Sequence, residues 1–178
     1  MKRDSKTVKI ALGAMLTALS IVLPQIFHLT GIPQVGAVFL PMHIPVLLAG
    51  FMLGPVYAPI IGAFAPVISH LLTNMPVAAR LPFMIVELLF YGLASGLFYH
   101  VFRLKEKRFG AVITLALSML VGRLAYALSL VIAAEFFGVE GGYMAAVSAT
   151  VTGIYGIVLQ FITIPPIVFA CKKGGFIK

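Results

Sequence analysis

The part of the sequence that decides the fold is residues 40–74, which read LPMHIPVLLAGFMLGPVYAPIIGAFAPVISHLLTN. Two hydrophobic segments, 38–53 and 56–72, meet there at Gly54-Pro55, and further prolines and glycines interrupt both. Two helices joined by so short a turn run antiparallel, so their far ends lie side by side. The sequence therefore predicts a helical hairpin with both free ends on one side.

The polar side chains of this hairpin collect at its free ends. His43 lies near the start of the first segment, and His70 and Asn74 lie at the end of the second. Short membrane segments broken by Pro and Gly are tolerated where they line a cavity, so we expect a ligand mouth here. Two histidines without a third ligand make a poor metal site. For both of them, hydrogen bonding or helix capping is favoured over ligand contact, and no metal is expected.

The composition is that of a membrane protein. Of the 178 residues, 61% are apolar and only 10% are charged, whereas soluble proteins average about 25% charged. The mean hydropathy of +1.10 points the same way. A soluble core of this length cannot hide so much apolar surface, so a bilayer must serve as part of the solvent. We expect one membrane domain over residues 1–178.

The basic residues indicate the topology. All of the 13 lysines and arginines except Arg80 and Arg123 lie in three clusters, at 2–9, 103–108 and 172–178. Long apolar stretches separate these clusters, which is the positive-inside pattern of a multi-pass protein of a bacterial plasma membrane. Nucleic-acid binding would need the basic residues along one exposed groove, and we reject it. Both termini are expected in the cytoplasm.

The predicted fold class is an all-α integral membrane protein with six transmembrane helices. The predicted helices span residues 8–27, 38–53, 56–72, 81–102, 109–137 and 143–171. Residues 28–37 and 75–80 are expected to form outer loops because glycine and proline interrupt them. Pro165 and Pro166 are expected to kink or end the last helix.

The residues most informative about function are the polar ones inside the membrane. A charge near the bilayer centre costs at least ~2.5–3.5 kcal/mol unless it is paired or hydrated, so Glu87 and Arg123 should face the bundle interior. Tyr91 lies four residues after Glu87, and Tyr126 three after Arg123, on the same helix faces. The sixth helix contributes Tyr155.

Two interpretations of Glu87 and Arg123 stay open. They form a structural ion pair, or they contact a ligand; their estimated depths differ by roughly 12 Å of helical rise, which weakens direct pairing. Asn74 and Arg80 flank the second outer loop, where a simply solvated loop is the alternative. The candidate substrate-binding residues are His43, His70, Asn74, Arg80, Glu87, Tyr91, Arg123, Tyr126 and Tyr155.

The sequence also lacks several motifs. It has no phosphate-binding loop of the G-x-x-x-x-G-K-[ST] type, so the chain is not expected to hydrolyse ATP itself. It has neither a zinc-protease motif nor a nucleophile elbow, so no enzyme and no cofactor are predicted. A stripe of small residues around Ala14 and Ala18 permits close helix approach, either within the protein or to a partner.

The hairpin motif resembles a known family. The pattern P-x-x-x-P-V-x-L-x-G-x-x-x-G-P begins at Pro41 and ends at Pro55. Together with the six-helix plan and the small-residue stripe, it resembles the substrate-binding S components of energy-coupling factor (ECF) vitamin transporters. The LPMHIPV and SHLLTNMP segments look closest to the branch for pantothenate, pyridoxine and the cobalamin precursor α-ribazole.

The resemblance implies a subunit that captures a vitamin from outside. Its partners would be a transmembrane coupling (T) protein and two cytoplasmic ATPases, with Ala14 and Ala18 on the docking surface. The pocket would be lined by the last three helices. Two alternatives remain: a membrane enzyme acting on a lipid or isoprenoid through Glu87 or Glu135 with Arg123, and a self-sufficient facilitator.

Overall fold

The computed structural model describes residues 6–29, 31, 35–138 and 142–175, and these ranges contain helices and no strand. The all-α fold class is confirmed. Lys2, Arg3 and Lys178, which belong to the predicted basic clusters, lie outside the described residues, as do positions 30 and 32–34 of the first predicted loop.

The first predicted helix is confirmed, but the second is interrupted. Helix α1 spans Lys6–His28. The predicted helix 38–53 is instead a short helix α2, Val35–Phe39, followed by α3, His43–Leu53. Leu40 between them has a positive φ of 50°. It precedes Pro41, and a residue before proline is pushed out of the right-handed helical region.

The hairpin turn is as short as expected. Helix α4 spans Tyr57–Thr73 and follows α3 across Gly54, whose φ of 83° favours glycine. Of the prolines in the hairpin, Pro45 and Pro59 lie in the first turns of their helices, where proline is tolerated. Pro66 alone lies in a helix interior.

Helix α5, Leu81–Gly96, is the centre of the bundle and packs against α3, α4 and α6. Its close contacts depend on glycine, because a Cβ at Gly92 would lie 2.5 Å from the carbonyl oxygen of Ala58 on α4. A π-helical turn, Leu97–Val101, extends α5. There His100 donates a hydrogen bond from Nε2 to the Phe51 carbonyl oxygen over 2.9 Å, which ties the end of α5 to α3.

The last third of the chain departs from the prediction at one point. Helix α6 spans Gly110–Phe137, close to its predicted bounds. The predicted helix 143–171 is divided into α7, Gly142–Thr152, and α8, Ile154–Lys173, which meet at Gly153. The interruption therefore comes at a glycine, and α8 continues through Pro165 and Pro166 to its basic end.

Within the described residues, five helical segments are long and apolar enough to cross a membrane. They are Lys6–Phe27, Val35–Leu53, Leu81–Val101, Gly110–Phe136 and Ile154–Lys173. The second of them combines α2 and α3. Helix α4, the expected third span, has 17 residues, slightly fewer than the roughly 20 that span a typical hydrocarbon core.

The described parts of the basic clusters lie at one end of the bundle. Lys172, near the end of α8, donates a hydrogen bond from Nζ to the Lys105 carbonyl oxygen over 2.7 Å. Helix α1 begins at the same end, because Gly13 packs beside Leu53, next to the hairpin turn. The grouping that the positive-inside pattern requires is therefore present in the fold.

Candidate functional site

A cavity of about 800 Å³ opens among the helix ends opposite the basic clusters. Its walls come from the α2–α3 junction, the start of α5, the second half of α6, one face of α7 and the loop after α4. Small-molecule sites range from roughly 300 to 1,000 Å³, so this cavity suits a small organic ligand.

The polar part of the cavity is an ion pair that links α5 to α6. Arg123 Nη1 lies 3.1 Å from Glu87 Oε1, and the side chains of Arg123 and Glu87 are only 12% and 5% exposed. His43 Nε2 lies 3.5 Å from the second carboxylate oxygen, Oε2. The depth estimate that argued against pairing was wrong, because it placed the outer ends of the two helices at one level.

Tyr91 packs between the polar cluster and helix α6 and holds the cluster in place. Tyr91 lies beside His43 with the rings edge to face and their centroids 5.3 Å apart. A Cβ at Gly122 would lie 2.8 Å from the Tyr91 ring, so this glycine makes room for the tyrosine. Tyr91 is almost fully buried and is not among the residues that line the cavity. It supports the polar cluster from below.

Several polar atoms around this cluster have no hydrogen-bond partner in the part of the chain that the structure describes. They include Nε and Nη2 of Arg123, both ring nitrogens of His43 and the Ser69 hydroxyl. Glu87 Oε1 also lacks one, so its 3.1 Å contact with Arg123 is ionic rather than an aligned hydrogen bond. Buried polar groups are normally paired, so this concentration makes the cavity the candidate binding site.

The upper walls of the cavity combine one charge with apolar surface. Arg80 is exposed at the start of α5 and lines the cavity. Tyr126 lies next to Phe83, with their ring centroids 6.5 Å apart and the rings edge to face. The remaining apolar lining includes three methionines, Met42, Met75 and Met84.

Besides Tyr91, three predicted site residues are not among those that line the cavity: His70, Asn74 and Tyr155. His70 donates a hydrogen bond from Nδ1 to the Pro76 carbonyl oxygen over 2.7 Å, and Asn74 is the left-handed cap of α4. The hydrogen bond of His70 is of the kind that the favoured interpretation expects. Tyr155 is 66% exposed. The structure thus brings together His43, Arg80, Glu87, Arg123 and Tyr126.

Helix α7 supplies lining residues that were not among the predicted substrate contacts. They are Ala145, Ser148, Ala149 and Thr152. Their spacing of three and four residues places them on one helix face, a pattern that was visible in the sequence. Gly153 was missed too: a Cβ there would lie 2.7 Å from Arg123 Nη2. Its importance was hidden because the segment was expected to be one continuous helix.

The described residues contain no group of three His, Cys, Asp or Glu side chains that could hold a metal ion. The histidine and the carboxylate of the polar cluster contact each other and Arg123. A guanidinium beside them disfavours a cation at the same point. What the cluster offers chemically is hydrogen bonds and charge for an organic molecule.

Comparison with known families decides what kind of protein carries this cavity. The sequence model of the family described as "ECF transporter, substrate-specific component" matches residues 8–168, nearly the whole chain. The chain belongs to this family. No match was found among curated proteins or among solved structures.

Membership explains the main features of the molecule. S components are the substrate-binding subunits of ECF transporters, and they work with a T component and ATPases. They are transport proteins rather than enzymes, which agrees with the apolar helices of a multi-pass membrane protein. The family match does not choose among substrates.

The buried ion pair of this S component should contribute to its free energy of unfolding. Removing either partner leaves the other charge buried and unpaired, which costs about 3–5 kcal/mol. We expect Glu87→Ala and Arg123→Ala each to lower the free energy of unfolding by about that much, measured by denaturant titration in detergent micelles. The double variant should lose less than the sum of the two.

The exposed Glu135 on α6 provides the matched control for this experiment. Glu135→Ala should change the free energy of unfolding by no more than about 0.5 kcal/mol, as is usual for surface positions. A Glu87→Ala protein as stable as Glu135→Ala would show that the buried pair does not hold α5 to α6.

Proposed function

We propose that this S component captures a water-soluble vitamin or vitamin precursor from outside the cell and holds it in the cavity. Pantothenate, α-ribazole and pyridoxine-like molecules are the candidates that the sequence resemblance favours. The observation that carries the proposal is the cavity of about 800 Å³ with a buried polar cluster, His43, Glu87 and Arg123, at one side. This combination suits a small molecule with both polar and apolar parts.

The proposed topology has six spans: the five long segments and α4, which is the third in chain order. The 17 residues of α4 cover about 25 Å at 1.5 Å per residue. A helix of this length crosses the membrane if the bilayer thins slightly around it, or if polar side chains at its ends extend to the interface. The basic clusters then lie in the cytoplasm. The cavity, at the opposite end, opens to the outside.

The proposed ligand contacts are a subset of the residues singled out from the sequence. His43, Glu87 and Arg123 would bind the polar part of the ligand, and Arg80 and Tyr126 would flank it. Tyr91 would position His43 without touching the ligand. His70 and Asn74 would shape the end of α4, and Tyr155 would face away from the cavity.

The proposed docking surface for the T component is the face of α1 that carries Ala14 and Ala18. Both residues are exposed, whereas Leu16 and Ser20 on the opposite face are buried in the bundle. Small side chains let a partner helix approach closely, which suits a contact made inside the membrane. The energy for transport would come from the two ATPases, since this chain has no nucleotide-binding loop.

Binding of a vitamin by the purified protein tests the proposed function. Without ATP or partners, one vitamin or precursor from a panel should bind stoichiometrically and stabilise the protein, by about 2.7 kcal/mol at a concentration 100 times Kd. Tyr126→Ala should weaken that binding, and Tyr155→Ala, a tyrosine outside the cavity, should not. A panel that gives no thermal shift and no calorimetric signal would contradict the proposal.

Substitutions on α1 test the docking surface separately. In the assembled transporter, Ala14→Leu with Ala18→Leu should abolish co-purification of the T component and ATP-driven uptake, while ligand binding by the isolated subunit is unchanged. Ala116→Leu, at an exposed position of α6, is the control. Unchanged uptake in the double variant would place the docking surface elsewhere.

A further inference from the structure

We infer that the molecule bound in this cavity is an organic anion, whose carboxylate or phosphate group is held by Arg123. The inference rests on the proposed function, because it names the chemical class of the captured substrate. It depends on how the guanidinium of Arg123 is used within the protein.

Arg123 is only partly paired. Its Nη1 contacts Glu87, while Nε and Nη2 are buried and find no hydrogen-bond acceptor among the described residues. These two nitrogens form one edge of the planar guanidinium, with two parallel N–H donors. That edge matches the two oxygens of a carboxylate or phosphate. Leaving two donors of a buried cation unpaired costs free energy. A ligand that supplies both acceptors removes that cost and therefore binds more tightly.

The surroundings of this edge show how a ligand reaches it. The position of a Cβ at Gly153 lies 2.7 Å from Arg123 Nη2 and 3.0 Å from Leu40 Cδ1. Gly153 separates α7 from α8, and Leu40 separates α2 from α3. Two helix breaks therefore meet beside the guanidinium. Both nitrogens are shielded from solvent in this structure, so binding of a ligand to this edge requires a displacement at one of these breaks.

The charge of the cavity selects the sign of the ligand. Its charged lining residues are two arginines, Arg80 and Arg123, and one carboxylate, Glu87, so positive charge is in excess by one. In a cleft with apolar walls this excess attracts anions and repels cations. A neutral amide would supply one acceptor and leave the second donor unpaired.

The rest of the lining excludes a simple inorganic anion. Away from the polar cluster the cavity is bordered by Met42, Phe83, Met84 and Leu130. A bare phosphate or sulfate would leave this apolar surface in contact with water. A small amphipathic acid, with its anionic end on Arg123 and its apolar body against these side chains, covers both parts of the site.

Titrations with matched ligand pairs test the inference. The wild-type protein in lipid nanodiscs would be titrated with pantothenate and pantothenol, nicotinate and nicotinamide, and pyridoxal 5′-phosphate and pyridoxal, with thiamine as a cation. We expect the tightest ligand to be an anion that binds at least about tenfold better than its neutral counterpart. The carboxylate and phosphate members show which anionic group the site takes.

Other results of the titrations separate this inference from the proposed function. If a neutral or cationic vitamin binds tightest, the inference is overturned and vitamin capture stands. If riboflavin, α-ribazole and the whole set above fail to bind, the proposed function is overturned, and the inference falls with it.

Substitutions at Arg123 show whether this residue is responsible. Arg123→Gln should weaken the preferred anion at least about tenfold and reduce the preference for it over its neutral counterpart. Arg108→Gln, at the opposite end of the bundle, should change neither. The double variant Glu87→Gln with Arg123→Gln removes both buried charges, so it is expected to fold without regaining the preference. A double variant that still prefers the anion as strongly as the wild type would overturn the assignment to Arg123.

Discussion

The ionic contact between Glu87 and Arg123 is the interaction on which the site depends. Burying either charge alone near the bilayer centre costs at least ~2.5–3.5 kcal/mol, and pairing the two charges offsets part of that cost. Their contact joins α5 to α6 and brings His43, from the hairpin, to the same carboxylate. Three parts of the chain that are distant in sequence thus meet at one polar point, and the cavity is built above it.

The helix packing that permits this contact relies on small residues rather than on large apolar ones. Inside a membrane, apolar burial does not distinguish helix from lipid, so close backbone approach must hold the bundle together. Gly92 against Ala58, and Gly122 against Tyr91, bring the neighbouring helices within reach of α5. Gly153 likewise leaves room for the guanidinium of Arg123, because it has no side chain. The glycines therefore set the geometry of the charges.

Much of the fold could be predicted from the sequence because the bilayer imposes strong rules. Apolar length indicates the spans, and the basic clusters indicate which ends lie together. Helix interruptions were harder. The second helix breaks at Leu40, just before Pro41, whereas α8 continues through Pro165 and Pro166. The pairing of Glu87 with Arg123 was underestimated for a related reason, since the relative heights of helices depend on packing that the sequence does not display.

Site residues could be predicted where the residue type is rare inside a membrane. They could not be predicted where the role depends only on where the side chain lies in the fold. A buried glutamate and a buried arginine are expensive enough to mark an interior site in any membrane helix. Tyrosines are not: Tyr126 lines the cavity, Tyr91 lies beneath it, and Tyr155 faces outward, although all three fit the same sequence argument. The small residues of α7 were not predicted as contacts because serine, threonine and alanine are common in membrane helices generally.

The central claim is that the cavity opens to the outside while the basic end lies in the cytoplasm. Cysteine labelling in intact cells tests it most directly, with Cys171 replaced by alanine and a single cysteine introduced at Ser148 in the cavity or at Lys107 in the basic end. A membrane-impermeant maleimide added outside should label Ser148→Cys at once, and Lys107→Cys only after the cells are permeabilised. Labelling of Lys107→Cys in intact cells, with Ser148→Cys protected until permeabilisation, would contradict the account.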